Sequence, residues 1–170
     1  MKVACLDTHI LIWGIKEEAE PGQEHMIQLA KNLLAKLDED KIMVVIPSIV
    51  LGEFLMRVPK NEHANVLKKL EKRFIITSFD VKASSCFANL WQNKKEIRNN
   101  EPTCTRDHLK ADLMIVASAI TSGSEIIYSC DDHIPKAAGD EIKCSDIPKE
   151  DKQLAFNLVE VVKEPLAPNS

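Results

Sequence analysis

The fold of this chain is decided by residues 3–12, which read VACLDTHILI. Residues 2–6 are a short β-prone run and predict a strand, and residues 8–16 predict a helix or turn that follows it at once. Asp7 therefore stands where the first strand ends. A carboxylate at that position is the first indication of a functional site, because ligands of open α/β sheets bind outside the carboxyl ends of the strands.

Outward from this segment, strands and helices alternate along the sequence. Residues 42–46 form a continuous apolar run, which is typical of a strand buried on both faces. The remaining predicted elements are strands at 74–78, 125–128 and 142–144 and helices at 24–37, 48–56, 61–73, 81–92 and 106–121. We expect a three-layer α/β/α sandwich with a central, mainly parallel sheet of four or five strands.

Composition narrows the classes of protein to be considered. The chain has 170 residues and a mass of 19.1 kDa, with 45% apolar and 28% charged residues. These values predict one globular domain, which we assign to residues 1–163, followed by a frayed tail at 164–170. The net charge of −4 excludes a broad basic face for duplex DNA, so nucleic-acid binding would need a local basic patch or a metal.

Cysteine usage and hydropathy indicate the compartment. The five cysteines are scattered and contain no CxxC pair, which fits reduced thiols better than a disulfide framework. No run reaches the ~18 apolar residues that a membrane span needs. The amino-terminal apolar run also lacks the features of a signal peptide. We expect a cytoplasmic protein that makes no membrane contact.

Carboxylates recur at the places where a parallel sheet gathers its ligands. Asp7 ends the first strand. Asp131 and Asp132 lie in the loop that begins at Ser129, directly after the fourth strand. Asp112 falls on the apolar stripe of the helix at 106–121, and Glu53 falls on that of the helix at 48–56. A single Asp after a strand often only starts a loop, and a single acid on an apolar stripe is often paired in a salt bridge.

Taken together, these acids predict a metal site. Like charges so close to one another repel and raise each other's pKa unless a cation lies between them. Oxygen ligands of this kind suit Mg²⁺ or Mn²⁺, and such ions commonly serve phosphoryl chemistry.

Four stretches of the chain, in this order, resemble the PIN-domain family, and the overall form is similar to VapC-type toxin ribonucleases of toxin–antitoxin systems. They are VACLDTHILI at 3–12, PSIVLGEF at 47–54, DLMIVASA at 112–119 and IYSCDDHI at 127–134. The resemblance implies a PIN-like fold and a metal-dependent endoribonuclease whose nucleophile is a metal-bound water. It also implies an antitoxin partner, an RNA substrate and a homodimer.

The same resemblance assigns roles to individual residues. Asp7, Glu53, Asp112 and Asp131 would hold the Mg²⁺ or Mn²⁺ ion and carry catalysis. Thr8, Ser129 and Asp132 would support them, and Asp132 competes with Asp131 for the place of the fourth acid. The chain is longer than a minimal toxin of this type, and the extra length falls at residues 17–40 and 94–105.

RNA contacts in an acidic domain require cations, because phosphates dominate nucleic-acid affinity. The candidates nearest the acids are Arg106, Lys110 and His133. Trp13 could stack a base, although a tryptophan just after a first strand is more often part of the core or of an interface.

Other classes of protein share parts of this pattern. A haloacid-dehalogenase-like phosphatase would need a second Asp where His9 stands, and a receiver domain would need its acceptor Asp on a strand near Glu53. Zinc would require the Cys104/His108 and Cys130/His133 pairs to converge. A catalytically inert PIN-like scaffold that binds RNA or a protein partner stays open as the alternative to an enzyme.

Overall fold

Residues 2–94 and 105–149 are described by the computed structural model of the chain, and strands alternate with helices through both ranges. The strands are β1 (Val3–Leu6), β2 (Met43–Pro47), β3 (Ile75–Thr77), β4 (Ile126–Tyr128) and β5 (Lys143–Ser145). The α-helices are α1 (Thr8–Leu11), α2 (His25–Glu39), α3 (Ser48–Leu55), α4 (His63–Glu71), α5 (Val81–Asn93), α6 (Arg106–Thr121) and α7 (His133–Ala138).

The sheet has the strand order β3-β2-β1-β4-β5, and all of its pairings are parallel. The predicted α/β/α sandwich with a mainly parallel sheet is therefore confirmed, at the upper end of the expected strand number. The chain moves to one side of β1 to form β2 and β3, and to the other side to form β4 and β5. This reversal opens a crevice outside the carboxyl ends of β1 and β4, where α/β proteins place their ligands.

The central strand β1 is apolar because both of its faces and both of its edges are covered. All four of its residues are buried, and it pairs with β2 through Cys5 and Val45 and with β4 through Cys5 and Ile127. A charged side chain within such a strand would be buried without a partner, which costs free energy. The first carboxylate therefore appears at Asp7, immediately after β1 ends.

Some boundaries differ from the predicted ones for local physical reasons. The helix predicted at 61–73 is divided into a 3₁₀ turn, Lys60–Glu62, and α4. The sequence patterns missed α7, whose six residues are too few for a periodic signal and include Pro135 in the first turn, where proline is tolerated. The predicted loop at 94–105 lies outside the described residues except at its two ends, as do the tail at 164–170 and the end of the domain assigned to 1–163.

The segment at residues 17–40 contains α2, which packs onto the core through Ala30, Leu33, Leu34 and Leu37. It meets a single π-helical turn, Ile12–Lys16, that continues α1. Gly14 lies in that turn, and an added Cβ there would come within 2.7 Å of Leu34 Cδ1. The close approach of α2 to the π-helical turn therefore depends on the absence of a side chain at Gly14.

Two further observations complete the fold. Cys5, Cys86, Cys130 and Cys144 carry free thiols, and Cys104 lies outside the described residues. Within residues 2–94 and 105–149, no helix combines the length and the apolar character needed to cross a membrane.

Glycine-to-alanine substitution should separate close packing from helix propensity. Gly52 lies in α3, and a Cβ there would meet no atom within 4 Å. We expect Gly52→Ala to raise the free energy of unfolding by about 0.5–1 kcal/mol, because alanine loses less backbone entropy in a helix. Gly14→Ala should be at least about 1 kcal/mol less favourable than Gly52→Ala, because Leu34 must move to accept the methyl group. Chemical denaturation measures both, and equal gains would contradict the packing assigned to Gly14.

Candidate active site

Asp7 is held at the end of β1 by hydrogen bonds from two other parts of the chain. Its side chain is only 5% exposed. Asp7 Oδ1 accepts a hydrogen bond from the backbone N–H of Thr8 at 2.7 Å, and Oδ2 accepts one from Ser129 Oγ at 2.7 Å. The backbone N–H of Asp7 donates to the carbonyl oxygen of Tyr128 at 3.0 Å, which joins the ends of β1 and β4.

The loop after β4 places a second carboxylate beside Asp7. Ser129 Oγ accepts a hydrogen bond from the backbone N–H of Asp131 at 3.0 Å while it donates to Asp7. Asp131 Oδ1 accepts from the backbone N–H of His133 at 2.8 Å. This turn, in which an aspartate side chain bonds the backbone two residues later, directs the chain into α7. Ser129 thus joins the carboxylate of Asp7 to the loop that carries Asp131.

Two helices supply the other two acids. Glu53 lies on α3, half-buried, and Glu53 Oε2 accepts a hydrogen bond from Thr8 Oγ1. Asp112 lies on α6 and is 9% exposed. Thr8 therefore contacts Asp7 through its backbone and Glu53 through its hydroxyl group, which links the β1 side of the site to α3.

One cavity of about 330 Å³ brings these side chains together. Asp7, Glu53, Asp112 and Asp131 all line it, as does Thr8. The volume is at the lower end of the ~300–1,000 Å³ range of small-ligand sites. The four acids predicted from the sequence are thus placed at one concave surface, at the carboxyl end of the sheet.

The electrostatics of the cavity follow from burial and from the proximity of like charges. Burial, together with the negative charges of Asp131, Asp7 and Glu53, raises the pKa of Asp112 to about 7, against the opposing effect of His108. Burial also raises the pKa of Asp7, and the hydrogen bonds from Ser129 and Thr8 act in the opposite direction. Asp7 and Asp112 therefore bind protons more tightly than isolated carboxylates do.

The donor chemistry of the cavity fits a hard divalent cation. Carboxylate oxygens are the ligands that Mg²⁺ and Mn²⁺ prefer, and a cation among them would relieve the repulsion that raises the pKa of Asp112. Within the described residues, however, no group of three His, Cys, Asp or Glu side chains stands in a geometry that could hold a metal ion. The cavity thus gathers suitable donors without bringing them into a closed coordination shell.

Several residues that the sequence analysis selected lie away from this cavity. Asp132 lines a neighbouring cavity instead, with Trp13 and His133. The guanidinium of Arg106 lies over the ring of Trp91, 5.5 Å from its centroid, and Lys110 Nζ is paired with Asp107 at 3.1 Å. Of the three RNA-contact candidates, only His133 lines the acidic cavity.

Arg57 and His108 also line the cavity, and the sequence analysis did not select either as a site residue. Both are exposed. Arg57 follows Glu53 by four residues, and His108 precedes Asp112 by four residues. His108 and Asp112 both lie on α6, where side chains four residues apart share a face, so this spacing could have identified His108. Arg57 lies in the turn after the end of α3 at Leu55, and no helical spacing pointed to it.

The remaining alternatives can be placed on the structure in part. Cys104, which a zinc site would require, lies outside the described residues, and Cys130 faces the neighbouring cavity rather than the acidic one. Trp13 is 5% exposed and belongs to the core, in line with the more common role of a tryptophan at that position.

Comparison with solved structures identifies the same fold. VapBC2 from Rickettsia felis, bound to a DNA fragment from their promoter, is 17% identical with a TM-score of 0.61 over 86% of this chain and 99% of that chain. DNA-bound VapBC from Salmonella typhimurium is 17% identical with a TM-score of 0.60, over 87% and 100% of the two chains. VapBC-1 from nontypeable Haemophilus influenzae is 13% identical with a TM-score of 0.60, over 86% and 99%.

Sequence comparison gives the family. No curated protein matches the sequence. The sequence pattern of the PIN domain matches residues 4–140, a range that begins within β1 and contains β4 and all four cavity acids. The resemblance inferred from the sequence is therefore confirmed, and the chain belongs to the PIN domain family.

Proposed function

We propose that this PIN domain is a metal-dependent endoribonuclease that cleaves phosphodiester bonds by hydrolysis and acts as the toxin of a toxin–antitoxin pair. The observation that supports it most strongly is the placement of four carboxylates around one cavity at the carboxyl ends of β1 and β4. The nuclease character of the PIN family agrees with this chemistry. The alternative is a catalytically inert PIN-like scaffold. It would give this cluster of mutually repelling carboxylates no function.

In this proposal, Asp7, Glu53, Asp112 and Asp131 would hold Mg²⁺ or Mn²⁺. When bound, such an ion would supply an activated water and would stabilise the charge that develops during displacement at phosphorus. Ser129 and Thr8 fix the orientation of Asp7, because each hydrogen-bonds one of its two carboxylate oxygens. Thr8 also restrains Glu53.

The positive side chain at the rim has a separate role in the proposal. Arg57 lines the acidic cavity, is exposed, and makes no ion pair with any residue of the described ranges. A guanidinium in that position suits a phosphate oxygen, since arginine forms bidentate hydrogen bonds with phosphate. We therefore assign to Arg57 the phosphate contact for which the sequence had indicated Arg106 and Lys110.

The partners of this chain form part of the same proposal. The similar structures are VapBC complexes, so we extend an antitoxin partner to this chain, with a basic side chain that blocks the acidic cavity. A homodimer and a cytoplasmic location, where the thiols stay reduced, complete the proposal.

Cleavage of RNA should depend on both the metal and the acids. We expect wild-type protein to cleave pooled cellular RNA in Mg²⁺ or Mn²⁺ and not in EDTA, and Asp7→Asn and Asp112→Asn to lose at least about 100-fold in rate. Asp107→Asn is the matched control, because Asp107 lies on the same helix as Asp112, is exposed and does not line the cavity. Gel electrophoresis of the products measures the rates. Folded protein that neither cleaves RNA nor binds Mn²⁺ in calorimetry would exclude the enzyme and leave the scaffold.

The stability of the metal-free protein should report the repulsion at Asp112. Its pKa is about 7 in the folded chain against an ordinary value of 3.8, so the folded state holds a proton that the unfolded state loses first. Stability is therefore lost as the pH rises from about 4 to about 7. In EDTA, Asp112→Asn should be more stable than wild type by on the order of 1–2 kcal/mol at pH 8, with little difference at pH 4. Denaturation at both pH values tests this, and a destabilised Asp112→Asn at pH 8 would instead make Asp112 a partner in a structural ion pair.

Removal of the Arg57 guanidinium should weaken RNA binding through phosphate alone. We expect Arg57→Ala to lower affinity for single-stranded RNA and to reduce the slope of log K against log salt by about 0.7, the value for one phosphate contact. Lys36→Ala provides the control, because Lys36 is exposed on α2 and does not line the cavity. Fluorescence anisotropy at several salt concentrations gives both slopes. An unchanged slope in Arg57→Ala would remove the phosphate contact from the proposal.

A further inference from the structure

Three adjoining cavities meet at His9. The first is the acidic cavity, which His9 lines together with Asp7 and Asp131. The second, of about 120 Å³, is lined by His9, Trp13 and Gln23. The third, of about 290 Å³, is lined by the same three residues and also by Asp131. His9 lines all three cavities, so a strand of RNA whose phosphate lies among the acids would pass this side chain.

The exposed ring of His9 contacts the buried ring of Trp13. His9 is exposed to solvent, whereas Trp13, four residues later, is 5% exposed. The two rings lie with their centroids 5.3 Å apart and their planes inclined by 34°. A buried indole behind an exposed imidazole limits the rotamers of the imidazole, so the ring is presented at a fixed place beside the acidic cavity.

The charges around His9 favour a neutral ligand there over a second phosphate. The second cavity contains Glu18 and Glu20 in addition to Arg57, and the third contains Asp131 and Asp132. An anion would meet carboxylates in both, whereas a nucleobase carries no charge and has amino and imino groups that donate to carboxylates. Gln23 lines both cavities and offers one amide acceptor and two donors to the edge of a base.

We propose that His9 is the stacking platform for the base of the nucleotide next to the scissile phosphate, and that Trp13 positions its ring. This inference rests on the proposed function, since it assigns a subsite of the same nuclease cavity. Stacking of single-stranded bases on aromatic side chains is the common mode of RNA recognition. His9 here takes the role that the sequence analysis had considered for Trp13, which is too deeply buried to meet a base itself.

The first test compares substitutions that keep or remove the ring. His9→Phe keeps an aromatic face, and His9→Gln keeps hydrogen bonding but removes the face. Binding of a single-stranded oligoribonucleotide that contains a mapped cleavage site is measured by fluorescence anisotropy in Mn²⁺, and every protein compared also carries Asp112→Asn, so that the cation is present while cleavage is slow. We expect His9→Phe to bind within about twofold of wild type and His9→Gln to bind about 5- to 150-fold more weakly, the range for loss of one stacked base. Weaker binding in His9→Phe with binding retained in His9→Gln would mean a hydrogen-bond contact, and equal weakening in both variants would mean a contact that only the imidazole makes, such as one to a phosphate. Either result would overturn the proposal.

The second test removes the base instead of the ring. An abasic nucleotide next to the cleavage site should weaken binding to wild type about 5- to 150-fold and should have little further effect on His9→Gln, because the two changes delete the same contact. Trp13→Leu should reduce this coupling between base and ring, a change that a general loss of stability would not produce. Equal abasic losses in wild type and in His9→Gln would overturn the stacking role.

The outcomes separate this inference from the proposed function. Wild-type protein that cleaves RNA in Mn²⁺ while His9→Gln binds as wild type does would overturn the inference and leave the nuclease intact. Wild-type protein that neither binds nor cleaves RNA would overturn both.

Discussion

The structure depends on Asp7, which is held almost fully buried at the end of the central strand β1. Its carboxylate accepts hydrogen bonds from Ser129 Oγ and from the backbone N–H of Thr8, yet no lysine or arginine of the described ranges forms an ion pair with it. A buried carboxylate with hydrogen bonds but no counter-charge costs free energy. The hydrogen bonds of Asp7 offset part of this cost, and they also join the ends of β1 and β4, which are paired as far as Leu6 and Tyr128.

The other acids increase the cost rather than relieve it. Asp131 and Asp7 both raise the pKa of Asp112, and His108 opposes them. Natural proteins keep destabilising groups of this kind where function requires them. A cation that entered the cavity would turn the same repulsion into binding energy. The cluster is therefore best understood as a site whose stability and whose ligand are coupled through charge.

The sequence predicted the positions of the acidic side chains better than those of the cationic side chains. The acids were predictable because a strand end fixes where Asp7 and Asp131 stand, and an apolar stripe fixes which way Asp112 and Glu53 face. The contacts of the cationic groups were not predictable, because Arg106 and Lys110 have long, flexible side chains whose charged ends can reach several different partners. Arg106 lies on Trp91, and Lys110 pairs with Asp107. The proximity of Arg106 and Lys110 to Asp112 in the sequence did not indicate either of these contacts.

The sequence by itself determined the order of the five strands, the parallel sheet, every α-helix except the six-residue α7, and the four acids, since hydrophobic periodicity and strand-end chemistry are local properties of the chain. Only the tertiary structure decided which of Asp131 and Asp132 faces the acids, that Arg57 and His108 share their cavity, and that His9 rather than Trp13 is exposed beside it. The physical reason is that these outcomes depend on packing between elements distant in sequence. The approach of α2 to the π-helical turn at Gly14 and the Ser129 bridge between β1 and β4 are contacts of that kind.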